Sequence, residues 1–225
     1  MTKTEAEDFL VKSLVEFLRK VDGGVPHLLN VGAADSLSIE QQLQEEGVKF
    51  VVDRVDVDEY DIRAPYIGKT WVTSVEHMNE VPSETYDAAF ANFVLEHVPH
   101  LDPAAAEILR VLRKGGIFVA STVNVRAPEI WISNHTPLWF HELIRGRRAW
   151  PTAYSYSSVG ELADKFRRTG FAVEELRWFP VVGAYLHRVP VLNVLARVYD
   201  ATLKGLRINS MLGNICLVLR KPVSG

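Results

Sequence analysis

Hydrophobic residues recur along this chain in two rhythms, and their alternation predicts the architecture. From Thr4 to Val21 the apolar positions Phe9, Leu10, Leu14, Phe17, Leu18 and Val21 return every three or four residues, with Lys and Glu between them. That spacing puts one apolar stripe on an amphipathic helix. Gly23-Gly24 stop it, and Pro26 stiffens the approach to a first strand carrying Leu28, Leu29 and Val31. The apolar run breaks into Gly32-Ala33-Ala34-Asp35-Ser36, and a helical pattern follows from Leu37 to Glu46, ended by Gly47. Shorter apolar runs predict strands at Val48–Val57, Trp71–Val75, Tyr86–Asn92, Ile117–Val123, Phe171–Trp178 and Asn214–Arg220. Helices are expected at Pro103–Arg113, closed by Lys114-Gly115-Gly116, and at Ser158–Thr169, ended by Gly170. Asp58 to Thr70 reads as polar and irregular.

Strands alternating with helices imply parallel pairing through right-handed crossovers. The fold class that follows is α/β: a doubly wound, mostly parallel, seven-stranded Rossmann-like sheet. The last strand has no helix after it and should close the sheet as an antiparallel C-terminal strand beside the sixth. A length of 225 residues suits one domain spanning 1–225.

Composition narrows the function classes. With 48% apolar and 24% charged residues the chain can fill a core, which argues against disorder. A net charge of −3 gives no global sign of a nucleic-acid partner. The single cysteine, Cys216, excludes an internal disulfide and a cysteine metal cluster, and its apolar neighbours mark it as a buried thiol. No metal site is expected. No apolar run approaches the roughly 20 residues of a membrane span, and the polar, acidic start is unlike a signal peptide. A cytoplasmic protein with no membrane partner is expected.

In a doubly wound sheet, ligands sit beyond the carboxyl ends of the strands, near the point where strand order reverses. The small residues Gly32, Ala33 and Ala34 end strand one and let backbone amides approach a ligand, with a helix N-terminus behind them. An acid after strand two can accept the hydroxyls of a ribose. Asp53 and Asp56, 21 and 24 positions after Gly32, both qualify. A nicotinamide site is a poor match, because Gly32-x-Ala34-x-x-Leu37 puts Leu37 where a glycine would let helix and strand approach.

The stretch Tyr86-Asp87-Ala88-Ala89-Phe90-Ala91-Asn92-Phe93-Val94-Leu95-Glu96-His97-Val98, followed by Glu107 through Gly115-Gly116-Ile117-Phe118, resembles the class I S-adenosylmethionine-dependent methyltransferases. The likeness is to the type 11 group and covers about Leu28 to Asn124. The resemblance implies an enzyme, a transferase using S-adenosylmethionine and releasing S-adenosylhomocysteine. It implies that Asn30, Gly32, Ala33 and Ala34 lie along the methionine part and that Asp56, or else Asp53, binds the ribose. Ser74 and Val75 would flank the adenine, Asn92 and Phe93 would close beside the sulfonium, and His97 would stand near the substrate mouth. The chain departs from the family pattern where Asn30, Ala34 and Ser36 replace Asp, Gly and Gly, and where Ser74 replaces Asp. A non-catalytic cofactor-binding or scaffold protein of the same fold is the alternative reading.

The acceptor side is read from two long connections, about 124–157 and 181–207, with helix 4–21 as an N-terminal cap. The first holds Trp131, His135, Trp139, Phe140, His141, Trp150, Tyr154 and Tyr156, rings that need burial against a core or around a ligand. It reads as a lid over a small-molecule substrate or as a structural cap. Arg145, Arg147 and Arg148 suit an anionic substrate or a solvated face. The second connection carries Val191, Leu192, Val194, Leu195, Val198 and Tyr199, which would complete the pocket or form a homodimer contact. His97, His135 and His141 are the candidate catalytic bases.

Overall fold

The computed structural model describes residues 3–134, 151–186 and 190–223. Its seven strands form one sheet in the order β3-β2-β1-β4-β5-β7-β6. They are β1 (His27–Val31), β2 (Val51–Asp56), β3 (Ile67–Val72), β4 (Tyr86–Asn92), β5 (Leu112–Val123), β6 (Ala172–Phe179) and β7 (Asn214–Arg220). Strands β1 to β5 pair in parallel, while β7 runs antiparallel between β5 and β6. The expected fold class is the one observed.

Two helical layers cover the sheet. Helices α1 (Glu5–Leu18) and α2 (Ser38–Glu45) share a buried cluster with Leu28, Val52, Phe90, Ile117 and Val119. On the opposite face α3 (Leu101–Val111) and α5 (Val159–Thr169) pack on Leu29, Val31, Ala89, Phe118 and Ala120. Alternate residues of one strand thus feed opposite cores, which is why β4 and β5 read as continuous apolar runs. Cys216 is buried in the first cluster, and that burial pushes its thiol pKa up, as expected of an inert structural cysteine. Helix α4 (Pro128–Asn134), the short α6 (Val182–Tyr185) and α7 (Pro190–Gly205) lie in the two long connections.

Local signals explain most boundaries. Thr4 and Glu7 form a reciprocal capping box at the start of α1, Ser158 caps α5, and Gly170 ends α5 in the left-handed region. The third strand corrects the sequence reading. It runs over Ile67–Val72 rather than Trp71–Val75, so part of the stretch read as irregular is sheet. As an edge strand it is mostly exposed, and Gly68, Lys69 and Thr70 give it no apolar run to read.

Candidate functional site

The strand order reverses between β1 and β4, and the residues leaving those two strands meet there. Gly32 follows β1 with φ +67° and donates its amide to Val55 O at 2.8 Å. A Cβ on Gly32 would stand 2.5 Å from Val94 Cγ2, so no side chain fits this position. Ala34 also takes positive φ (+45°), and Phe93, just after β4, takes +55°. Non-glycine residues in this region are strained, and here two of them follow the two strands that flank the reversal.

Asp56 ends β2 beside the turn. Its Oδ2 accepts from the Ala34 amide at 2.8 Å and its Oδ1 from the Asp58 amide at 3.2 Å. Asp56 O accepts from Thr73 N at 2.8 Å, which brings the residues after β3 alongside. There Ser74 Oγ accepts from the Glu76 amide and Val75 is buried in the core. Asn92, at the end of β4, accepts from Ser121 Oγ and donates from Nδ2 to Glu7 Oε1 at 2.9 Å. The first turn of α1 therefore reaches the carboxyl edge of β4. Phe93 packs toward Val123, Ala127 and Ile130, linking that edge to α4.

Asp53 is not part of this group. It sits mid-strand opposite Leu29, and its carboxylate accepts from Lys69 N at 2.7 Å and the Tyr86 hydroxyl at 2.8 Å. His27 Nε2 stands 3.3 Å from its Oδ1. Burial alone would raise the Asp53 pKa, but His27, the Lys69 amide and Tyr86 together hold it below the usual carboxylate range. Burial, then Asp53 itself, pushes the Tyr86 hydroxyl up. A carboxyl held low in the folded chain gives stability that is complete above its unfolded pKa and is lost as pH falls through the folded one. Urea unfolding at stepped pH should therefore show stability falling below about pH 4, with a shallower fall in Asp53→Asn. An equal acid slope in both proteins would contradict this.

A buried network under the turn escaped the sequence reading. Arg54, 2% exposed, donates from Nη2 to the carbonyls of Ala33 (3.0 Å), Ala34 (3.0 Å) and Ser36 (2.8 Å). Its Nη1 lies 3.4 Å from Oε1 of the buried Glu40, which also accepts from Asn30 Nδ2 at 2.7 Å. Burial pushes the Glu40 carboxyl up, against the pull of Asn30 and Arg54. Asn30 thus turns its amide to Glu40 under the turn. The signal was a lone arginine among the valines of β2.

Of the histidines, His97 follows Phe93 in a short 3-10 turn, and its Nδ1 lies 2.8 Å from Pro151 O. A carbonyl only accepts, so Nδ1 carries the hydrogen and Nε2 of the neutral ring keeps its lone pair. Nearby, Thr122 donates to Glu96 at 2.8 Å and Tyr156 donates to Val123 O at 2.9 Å. His135, His141, Arg145, Arg147 and Arg148 lie outside the described residues. Among the described residues no group of three His, Cys, Asp or Glu is placed to hold a metal ion.

Comparison with known proteins gives three likenesses. Residues 30–120 match the family model described as a methyltransferase domain. Over that segment, 91 of its 225 residues, the chain is similar to methyltransferase domains. It is 26% identical over 152 residues to the ubiquinone/menaquinone biosynthesis C-methyltransferase UbiE of Bartonella tribocorum, covering 67% of this chain. The chain spans about half of that relative's length, 46%. A methyltransferase structure from Mesorhizobium loti superposes with TM-score 0.61 at 17% identity, covering 96% of this chain and 97% of the other. The Burkholderia thailandensis 1,6-didemethyltoxoflavin-N1-methyltransferase, solved with its substrate and S-adenosylhomocysteine, gives 0.59 at 17% identity, covering 98% and 80%. These likenesses establish the fold.

S-adenosylmethionine is the cofactor of such methyltransferases. The donor set at the reversal suits it chemically, since the Asp56 carboxylate at the strand end adjoining the Gly32 turn can accept from ribose hydroxyls.

Proposed function

We propose that the chain transfers the methyl group of S-adenosylmethionine to a small organic acceptor. The observation that carries this is the contact of Ala34 N with Asp56 at the β1–β4 reversal, above a Gly32 that admits no side chain. Gly32, Ala33 and Ala34 would hold the methionine part, Asp56 the ribose, and Ser74 with the Val75 amide the adenine. Asn92 and Phe93 would stand beside the sulfonium. Asn30 serves through Glu40 and Arg54 by shaping the turn.

When bound, the cofactor supplies an electrophilic methyl on a sulfonium. The protein's task is then to align the acceptor in line and exclude water. For an oxygen or nitrogen acceptor, the lone pair on His97 Nε2 can take the proton released. Segment 124–157 and the buried side of 181–207, away from its exposed stripe, border the acceptor in this reading, with the first turn of α1 as cap. The aromatic content of the first segment, and relatives acting on small molecules by their names, support a small-molecule acceptor.

Asp56→Ala should weaken S-adenosylhomocysteine binding by about 1–3 kcal/mol, the scale of a lost polar partner, while Asp53→Asn leaves it unchanged. Titration calorimetry reads both. Unaltered affinity in Asp56→Ala would remove the ribose assignment.

For the cap, Glu7→Ala should lower affinity by about 0.5–1.5 kcal/mol, the net worth of one hydrogen bond, because Asn92 loses its partner. Equal affinity would mean that α1 only covers the core.

A further inference from the structure

Helix α7 turns its apolar face outward. Val191, Val194, Leu195 and Val198 are 75, 62, 63 and 59% exposed, and Leu206, just past the helix, is 66% exposed. Their spacing of three and four residues makes one stripe along the helix. The opposite side is anchored. Ala196 and Leu203 are buried, Asp200 accepts from the Gly183 amide at 2.7 Å, and Asn193 donates to Gly183 O at 2.7 Å. The helix is therefore held in place with its valines and leucines facing solvent.

Cations flank the stripe. Arg197 and Arg207 are exposed, Lys204 is paired with Glu5, and Asp200, the one acid of α7, is turned toward Gly183. Trp131 and Ile132 of α4 are each 60% exposed. The two helices are neighbours, since Asp200 of α7 raises the pKa of Glu129 of α4, after burial and a backbone hydrogen bond. Lys204 reaches Glu5, two residues from the Glu7 that holds Asn92, so the face lies at the rim of the crevice.

Single exposed apolar residues need no explanation, but a continuous stripe on an anchored helix does. Pairing of α7 with a second copy would cover the stripe but offer Arg197 and Arg207 no acid of α7, since Asp200 is turned toward Gly183. An anionic lipid surface complements both the stripe and its cationic flank. We propose that α7, with Trp131 and Ile132, is a docking face for an anionic lipid surface. The helix lies parallel to the membrane with Val194, Leu195 and Val198 at the headgroup boundary. The contact is peripheral, since no helix among the described residues is long and apolar enough to cross a membrane.

Sedimentation of the full chain with phosphatidylcholine vesicles, with and without roughly one-third phosphatidylglycerol, tests this. The chain should pellet with the anionic vesicles and be released by high salt. Leu195→Glu/Val198→Glu, at positions away from the core, should lower the partition about tenfold or more at unchanged S-adenosylhomocysteine affinity. Arg197→Glu/Arg207→Glu should abolish the preference for anionic lipid. A chain that stays in the supernatant with both vesicles overturns the proposal, as does a double-Glu variant that binds equally. A dimer seen by light scattering and broken by the same variant, without vesicle binding, would give the face to a second copy. Failure of S-adenosylhomocysteine to bind would count against the methyltransferase reading alone.

Discussion

Arg54→Met is expected to lower the unfolding free energy by about 3–5 kcal/mol, the cost of a buried ion pair stripped of one partner. The loss is twofold. Glu40, buried to 1% exposure, would keep only Asn30 as a side-chain donor. The carbonyls of Ala33, Ala34 and Ser36 would lose the guanidinium nitrogen that draws them together. Since burial already pushes the Glu40 carboxyl up, the variant should take a proton there, and its stability deficit should grow as pH rises above the carboxylate range. Arg54→Met with Glu40→Gln removes the stranded charge and should recover part of the stability but not the turn. Chemical unfolding separates the two terms, and S-adenosylhomocysteine affinity should stay low in both variants. A variant as stable as the parent would show that the turn holds without its clamp.

Gly32→Ala should be the most damaging single change in the crevice. A left-handed conformation costs a residue with a Cβ about 1–2 kcal/mol. The new methyl would also press on Val94 at 2.5–2.6 Å, adding about 1–3 kcal/mol of overpacking. The chain can relieve that clash only by moving Val94 away from the cofactor edge or by opening the turn, and either lowers affinity. Val94→Ala in the Gly32→Ala background should restore the steric part and leave the backbone part. A double-variant cycle in unfolding and binding reads the division. If Val94→Ala rescues nothing, contact between the β1 turn and the segment after β4 does not shape the site.

Much of this molecule was legible because its sheet is buried on both faces. Strands covered on both faces, such as the parallel β4 and the antiparallel β7, are apolar almost throughout, so Tyr86–Asn92 and Asn214–Arg220 were read to the residue. The edge strand β3, pairing on one side and largely solvated, carries no such mark and was misplaced by several residues. The spacing of the two acids after Gly32 could not separate Asp53 from Asp56. What separates them is strand register: one lies opposite Leu29 in mid-sheet, the other at the open end. Asn30, which the resemblance implies lies along the methionine part, donates to Glu40 beneath the turn, a partner its spacing did not announce. Arg54 showed only as a lone arginine among valines, because the value of a buried charge lies in partners distant in sequence. Glu7 did carry a local signal, since Thr4-x-x-Glu7 is a capping box, but its reach to Asn92 depends on how α1 packs.

The departure from a glycine-rich turn bears on the same point. Ala34 holds positive φ, and three carbonyls around it are tied to Arg54 while its amide is tied to Asp56. Freedom that glycine would give is replaced by hydrogen bonds that specify one conformation.

Titration calorimetry of S-adenosylhomocysteine into the full chain tests the central claim most directly. One molecule should bind per chain in the micromolar range, more weakly in Asp56→Ala, while NAD gives no heat. No binding of S-adenosylhomocysteine up to millimolar concentration, or full binding in both Asp56→Ala and Gly32→Ala, would contradict it.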